Sequence, residues 1–237
     1  MSVPRFFVPH TDLPREGGQV VLSAAQARHL WVLRLPQGSA LELLLPTGVW
    51  KADLAETRKD SALARLVAPL REDREAGSAL EAYIPITAQL SLIDDLLPPL
   101  VELGATLIQP VAFRRSEHDP DKTAARFDRW LRIVQGACEQ SHRSQVPAFN
   151  PAISFEELLA VATPQRWVAY EVATGQANPR LEPGPIAFTS GPEGGITDGE
   201  YAGLTGAGWK PVSLGGSILR AVTCPVALLG AIRYQGL

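Results

Sequence analysis

Between Phe188 and Glu200 the sequence reads FTSGPEGGITDGE. A β-branched and aromatic run stops at Gly-Pro-Glu-Gly-Gly, and Thr197 with Glu200 then form the T-x-x-E pair of a helix capping box. A strand that hands over to a helix within so few residues makes a strand–loop–helix unit. A chain of such units pairs its strands in parallel and covers both faces with helices. The pattern returns in PVSLGGSILRAVTCPVALLGAI, where a second strand ends at Gly215 and Gly216 ahead of a helix. Ligands of parallel sheets sit outside the carboxyl ends of the strands.

Three readings of Gly191–Gly195 compete. A phosphate cradle needs G-x-x-x-x-G-K-[ST] or G-x-G-x-x-G, and neither is present. A tight turn needing positive φ, with no ligand, fits the loop taken alone. The third reading takes both glycine-ended strands together. Glycines let main-chain N–H and C=O groups approach a flat ligand closely, which suits an adenine ring and requires no lysine. A nucleotide hydrolase of doubly wound type lacks both its P-loop and the G-x-S-x-G elbow.

From about residue 80 onwards strands and helices alternate. EAYIPITA, TLIQPVAF, RWVAYE, PIAFTS and KPVSL read as strands. SLIDDLLPPLVELG reads as a helix with Ser91 as N-cap and Gly104 as its stop, kinked or split by Pro98 and Pro99. A long amphipathic helix is expected from Thr123 to Ser141, a short one in SFEELLAVA, one from Thr197, and a last one from Cys224 to Tyr234. Residues 1 to about 70 have another rhythm. RFFVP, QVVLS, ALELLLPTG, VWKADLAET and ALARLVAPL are short strands, interrupted by one helix with Ser23 as N-cap and Pro36 with Gly38 as its end. That pattern suggests a small β-barrel. The charged stretch REDREAGS (Arg71 to Ser78) is the linker candidate, giving domains at 1–72 and 78–237.

Of the 237 residues, 46% are apolar and 20% charged, which supports a proper core. A net charge of −3 excludes a global basic signal, so any nucleic-acid surface is local. The two cysteines, Cys138 and Cys224, have no C-x-x-C spacing, so neither a disulfide framework nor a metal site is expected and both read as small buried residues. The start MSVPRFFVPH has no signal-peptide pattern, and no apolar run approaches the ~20 residues of a membrane span. A cytoplasmic protein with no membrane association is expected.

An ordered set of motifs carries a resemblance. It comprises GPEGG with a T-x-x-E helix start, LG–ILR before a final Ala/Leu-rich helix, and PRFFV followed by HL–VLR at His29 to Arg34. ELGAT–IQPV at Glu102 to Val111, RS at Arg115 and Ser116, and EQSHRSQVP at Glu139 to Pro147 complete it. Together they resemble the RsmE-type 16S rRNA uridine-N3 methyltransferases of the SPOUT superfamily, over nearly the whole chain. The resemblance implies an α/β fold: a trefoil-knot parallel-sheet domain preceded by a small PUA-like β-barrel that binds RNA. It implies S-adenosylmethionine as cofactor, ribosomal RNA of the small subunit as substrate, and a homodimer. The cofactor would be held by Tyr170 and Glu171, by Gly191, Pro192, Glu193, Gly194 and Gly195, and by Leu214, Gly215, Gly216, Ile218 and Leu219.

The chain departs from that family's usual LGPRILRTET. Gly216 stands for Pro, Ser217 for Arg and Val222 for Glu, while Arg220 is kept. Pro99 stands where a lysine is usual. Uridine N3 is a poor nucleophile until it loses its proton, so the site must favour the N3 anion. Arg220 is the candidate for stabilising it, with a salt bridge or phosphate contact as the alternative. Glu193 is the candidate base, or else an acid bonded to its own loop's N–H groups. Arg5, Arg28, His29, Arg34, Arg115 and Arg143 are the candidate RNA contacts. The alternative to a solvated helix face for Arg126, Arg129 and Arg132 is likewise RNA. A non-catalytic RNA-binding protein on the same scaffold is the alternative function, motivated by the missing charges.

Overall fold

A computed structural model describes residues 3–9, 14–70, 77–171 and 177–236. It divides into two units: residues 1–76 with 138–145, and 77–137 with 146–237. The linker candidate falls on residues 71–78, of which 71–76 lie outside the described residues.

The first unit is built on five strands: β1 (Arg5–Phe7), β2 (Gln19–Leu22), β3 (Ala40–Leu45), β4 (Gly48–Arg58) and β5 (Ser61–Pro69). Their order is β1-β3-β4-β5-β2; β1 pairs with β3 in parallel and the other pairs are antiparallel. The expected small barrel is thus met as a curled half-barrel sheet. Alternating residues of each strand fill its core, among them Leu41, Leu43, Ala52, Leu54, Ala64 and Leu66, closed by Ala27 and Leu30 of α1 (Ala24–Leu33). Ser23 caps α1 in a full capping box with Gln26, as its spacing predicts. The helix does not run to Pro36 and Gly38. Arg34 ends it in the left-handed region at φ 52°, its N–H bonded to the Trp31 carbonyl.

The second unit holds a sheet of seven strands, all paired in parallel. They are β6 (Leu80–Pro85), β7 (Leu107–Ala112), β8 (Ala148–Phe149), β9 (Ile153–Ser154), β10 (Gln165–Ala169), β11 (Ile186–Ser190) and β12 (Lys210–Val212). The order is β12-β10-β11-β6-β7-β8, with β9 also on β7. β11 is buried on both faces, as a central parallel strand must be. One face packs Tyr83, Val111, Val168 and Ala187 against Leu158 of α5 (Phe155–Leu159) and Leu204 of α6 (Asp198–Gly206). The other carries α2 (Ser91–Glu102) and α7 (Thr223–Gln235), which touch each other.

Two helices differ from the pattern read in the sequence. α2 runs unbroken through Pro98 and Pro99, and its N-cap is Leu90 rather than Ser91. Each internal proline removes a ladder bond at a cost of about 3 kcal/mol. Burial of Ile93, Leu96, Leu97, Leu100 and Val101, each worth roughly 1.5–3 kcal/mol, outweighs that. Gly104 follows the helix at φ 94°, the stop its position predicts. The expected helix from Thr123 to Ser141 is three pieces: α3 (Pro120–Thr123), a 3₁₀ turn at Ala124–Arg126, and α4 (Phe127–Ser141). Asp119 caps a start three residues earlier, with Pro120 at N1, so the α-helical frame begins and breaks before α4.

Candidate functional site

The carboxyl ends of β10, β11 and β12 open into one cavity of about 550 Å³. Two loops wall it. The first runs from Ser190 at the end of β11 through Gly191–Gly195 to α6. The second runs from β12 through Leu214 and Gly215 to α7.

The first loop is held by side chains that sequence spacing does not connect. Glu200, nearly buried, accepts from the Thr197 N–H and hydroxyl through Oε2 (2.8 and 2.7 Å), and from the Arg114 N–H through Oε1 (2.6 Å). The capping acid thereby ties α6 to the segment after β7. From that segment Arg115 donates through Nη1 to the Gly194 carbonyl at 2.7 Å. Glu193 accepts from the Ala88 N–H at 3.2 Å, not from N–H groups of its own loop. His118 Nε2 lies 3.0 Å from the Ala88 carbonyl, which it can bond only as a donor. Both polar groups of the Ala88 peptide are therefore held. A Cβ on Gly191 would come within 2.8 Å of Ile196 Cγ1, and one on Gly194 within 2.9 Å of Arg115 Cβ.

The second loop is held at its root. Asn178 and Ser213 exchange two hydrogen bonds of 2.8 Å each. At its far end the Arg220 carbonyl accepts from the N–H groups of Thr223 and Cys224, which starts α7. Between them Gly215 stands at φ 113°, and Ile218 is 84% exposed.

Of the residues the motifs point to, Tyr170, Glu171, Gly191, Pro192, Glu193, Gly194, Gly195, Leu214, Gly215, Ile218, Leu219, Arg220 and Arg115 all line this cavity; Gly216 does not. Ser217 and Val222, where the usual Arg and Glu are replaced, line it too. So do Leu92, Ala169, Ser190 and Cys224, none of which was among the candidate contacts. Cys224 is half-buried, and burial pushes its thiol up to about 11; the Ser190 hydroxyl partly offsets this and the Glu171 charge adds to it. Tyr170 stacks on Tyr201 with centroids 4.1 Å apart. Its phenol is raised by desolvation first and then by the Asp198 and Glu171 carboxylates. The Arg220 guanidinium is exposed and makes no ion pair among the described residues.

The size suits a small-molecule site, roughly 300–1,000 Å³. Its walls suit S-adenosylmethionine: main-chain groups of two glycine loops, apolar surfaces at Ile196, Val212 and Leu219, and charges of both signs.

The RNA candidates fare differently. Arg5 is 4% exposed; it bonds Glu42 through Nε and Nη2 (2.9 and 2.8 Å) and the carbonyls of His142 and Arg143 through Nη1 (2.6 and 2.8 Å). Its position beside Glu42 across β1 and β3 gives it a structural task and removes it from the accessible cluster expected. Arg143 is buried as well. Arg28 and Arg34 are exposed, Arg28 in a surface pair with Asp60, and His29 packs edge-on against Phe6. Arg129 pairs with Asp94, whose second oxygen accepts from the Trp130 indole.

Residues 83–233 match the model of the RNA methyltransferase domain. The ribosomal RNA small subunit methyltransferase E of Synechocystis is 32% identical over 90% of this chain and 72% of its own length. The chain belongs to this family. The Bacillus subtilis protein of the same name is 30% identical over 98% of this chain and 96% of its own. Among solved structures, the ribosomal RNA small subunit methyltransferase E of Neisseria gonorrhoeae, bound to S-adenosyl methionine, is 32% identical with a TM-score of 0.87, covering 98% of each chain. A Legionella pneumophila chain shares the fold at 24% identity and a TM-score of 0.87. Membership is what the ordered motifs imply, from GPEGG through LG–ILR.

Proposed function

We propose that this chain transfers a methyl group from S-adenosylmethionine to N3 of a uridine in small-subunit (16S) ribosomal RNA. The observation that carries the proposal is the glycine-walled cavity at the strand ends, in a chain aligned end to end with a relative described with that cofactor bound. When bound, the cofactor supplies an electrophilic methyl on a sulfonium. The rest of the chemistry falls to the chain. The loops at Gly191–Gly195 and Leu214–Leu219, with Tyr170 and Glu171, hold the adenosine and the methionine moiety. The Arg220 guanidinium, exposed in the cavity wall, stabilises negative charge on the uridine oxygens as the N3 proton leaves. Glu193 is the group that takes that proton, with its second task the bond to Ala88.

In this reading the curled sheet of the first unit is a PUA-like barrel, with the domain limits at 1–72 and 78–237, and the second unit is a trefoil knot. Arg28, His29, Arg34 and Arg115 contact the RNA. The protein acts in the cytoplasm as a homodimer, a state to which the exposed Ile218 lends itself as contact. A non-catalytic RNA-binding role is the weaker reading, because relatives matched over most or all of this chain are named as methyltransferases.

Arg220→Ala tests the proposal. Loss of one such electrostatic contact lowers the single-turnover rate on ribosomal RNA by about 10²–10³ while cofactor affinity stays. A variant that melts normally and reacts at the parent rate removes Arg220 from the chemistry.

A further inference from the structure

The first unit carries a second recess, of about 700 Å³, lined by Trp31, Arg34, Leu35, Gln37, Ala55, Glu56, Thr57 and Arg58. Three features mark it as built for a ligand. Trp31 is 52% exposed, although an indole on a helix beside a core normally turns inward. Arg34 holds the left-handed region at φ 52°, which costs a non-glycine residue energy that surrounding structure must repay. Arg34 and Arg58 put two exposed guanidinium groups, neither in an ion pair among the described residues, into the same wall.

An aromatic face, two cations and the exposed Gln37 amide together describe the recognition of an unstacked nucleotide. We infer that this recess is a subsite for one splayed-out nucleotide of single-stranded RNA. The base stacks on Trp31, its edge meets the Gln37 amide, and the flanking phosphates lie on Arg34 and Arg58. Glu56, in the same wall, repels phosphate from its side and accepts N–H groups of a base, which fixes polarity across the recess. A purely apolar protein contact would not need the two guanidinium groups. The inference rests on the reading of the chain as an RNA-modifying protein. It adds a contact that grips the substrate in the first unit, apart from the residues that line the cofactor cavity.

The test uses the full chain, a short single-stranded oligouridylate, and 16S rRNA. Trp31→Ala should weaken oligonucleotide binding roughly 5- to 150-fold, the effect of losing one base stack, and Trp31→Phe should restore most of it. Arg58→Gln should weaken binding and lower the slope of log affinity against log salt by about 1. S-adenosylmethionine affinity and melting temperature should not change, and on 16S rRNA KM should rise with kcat kept. Equal oligonucleotide affinity for Trp31→Ala and the parent overturns the subsite. So does a Trp31→Ala variant that keeps its RNA affinity and loses self-association in sedimentation, since the recess would then be a protein contact. A Trp31-dependent affinity in a protein that methylates no 16S rRNA supports the subsite and sinks the proposed activity instead.

Discussion

Two glycine loops wall the cavity at the strand ends, and they use glycine for opposite reasons. At Gly191 and Gly194 the space where a side chain would begin is already filled, by Ile196 and by Arg115. At Gly215 and Gly216 a Cβ would meet nothing within 4 Å, and only Gly215, at φ 113°, needs the residue for its backbone. The first loop is cross-braced by Glu193 to Ala88, Arg115 to Gly194 and Glu200 to Arg114. Among the described residues, the second is fastened near its ends, at Ser213 and Arg220. A packed loop presents fixed main-chain groups to a ligand. An open one can settle onto the ligand after it arrives. One wall is fixed by its own packing, and the other is left open.

The sharpest way to break this contrast is Gly191→Ala. Its Cβ must displace Ile196, whose main-chain nitrogen lies 3.1 Å away, so neither side chain rotation nor local give relieves the contact fully. Overpacking of this kind costs about 1–3 kcal/mol. Melting should show that loss, and calorimetry should show cofactor affinity falling with it. An unchanged variant would mean that the loop is as loose as its partner.

Cys224 reports on the packed side, because it shares the cavity wall with Ser190. With its thiol at about 11 against an ordinary 9.0, the thiolate fraction near pH 8 is roughly a hundredfold smaller. Alkylation by iodoacetamide should therefore be slow at pH 8 and rise steeply towards pH 11, with bound cofactor slowing it further. A rate at pH 8 equal to that of a free cysteine would show that this wall opens readily.

The smallest effects belong to the open loop, where Gly215→Ala and Gly216→Ala separate backbone strain from space. Alanine at 215 must adopt a positive φ and should cost about 1 kcal/mol. Alanine at 216 meets neither obstacle and should stay within about 0.5 kcal/mol of the parent. Equal losses at the two positions, read from denaturant midpoints, would mean that the loop is packed after all.

Much of this was legible along the chain because it rests on local rules. Ser23, Ser154 and Thr197 each cap a helix through a residue three positions on, and all three capping boxes form. A capping box depends on neighbours within one turn, so spacing alone finds it. The strand–helix rhythm named the parallel sheet, and the paired glycine strands pointed to one end of it. Local rules failed where tertiary burial outweighed them. Pro98 and Pro99 should break a free helix, but five buried apolar side chains hold α2 through both. Arg5 reads as a surface cation by composition, but it is buried, with Glu42 and two carbonyls from residues 142 and 143 converging on it.

By itself, then, the sequence determined most of the strands and helices, that the second unit's strands run parallel, and where glycine must interrupt them. Each follows from contacts within a few residues or from the two periods of burial. Only the tertiary structure decided what each glycine is for. Gly191 and Gly216 look alike in sequence, but one is pressed by Ile196 and the other faces open space. The same holds for charge. Arg5, Arg34 and Arg220 are one residue type, and long-range partners alone make the first a buried tie while leaving the other two exposed on a cavity wall. A guanidinium carries the same charge everywhere; its use depends on which groups the fold brings within hydrogen-bond reach.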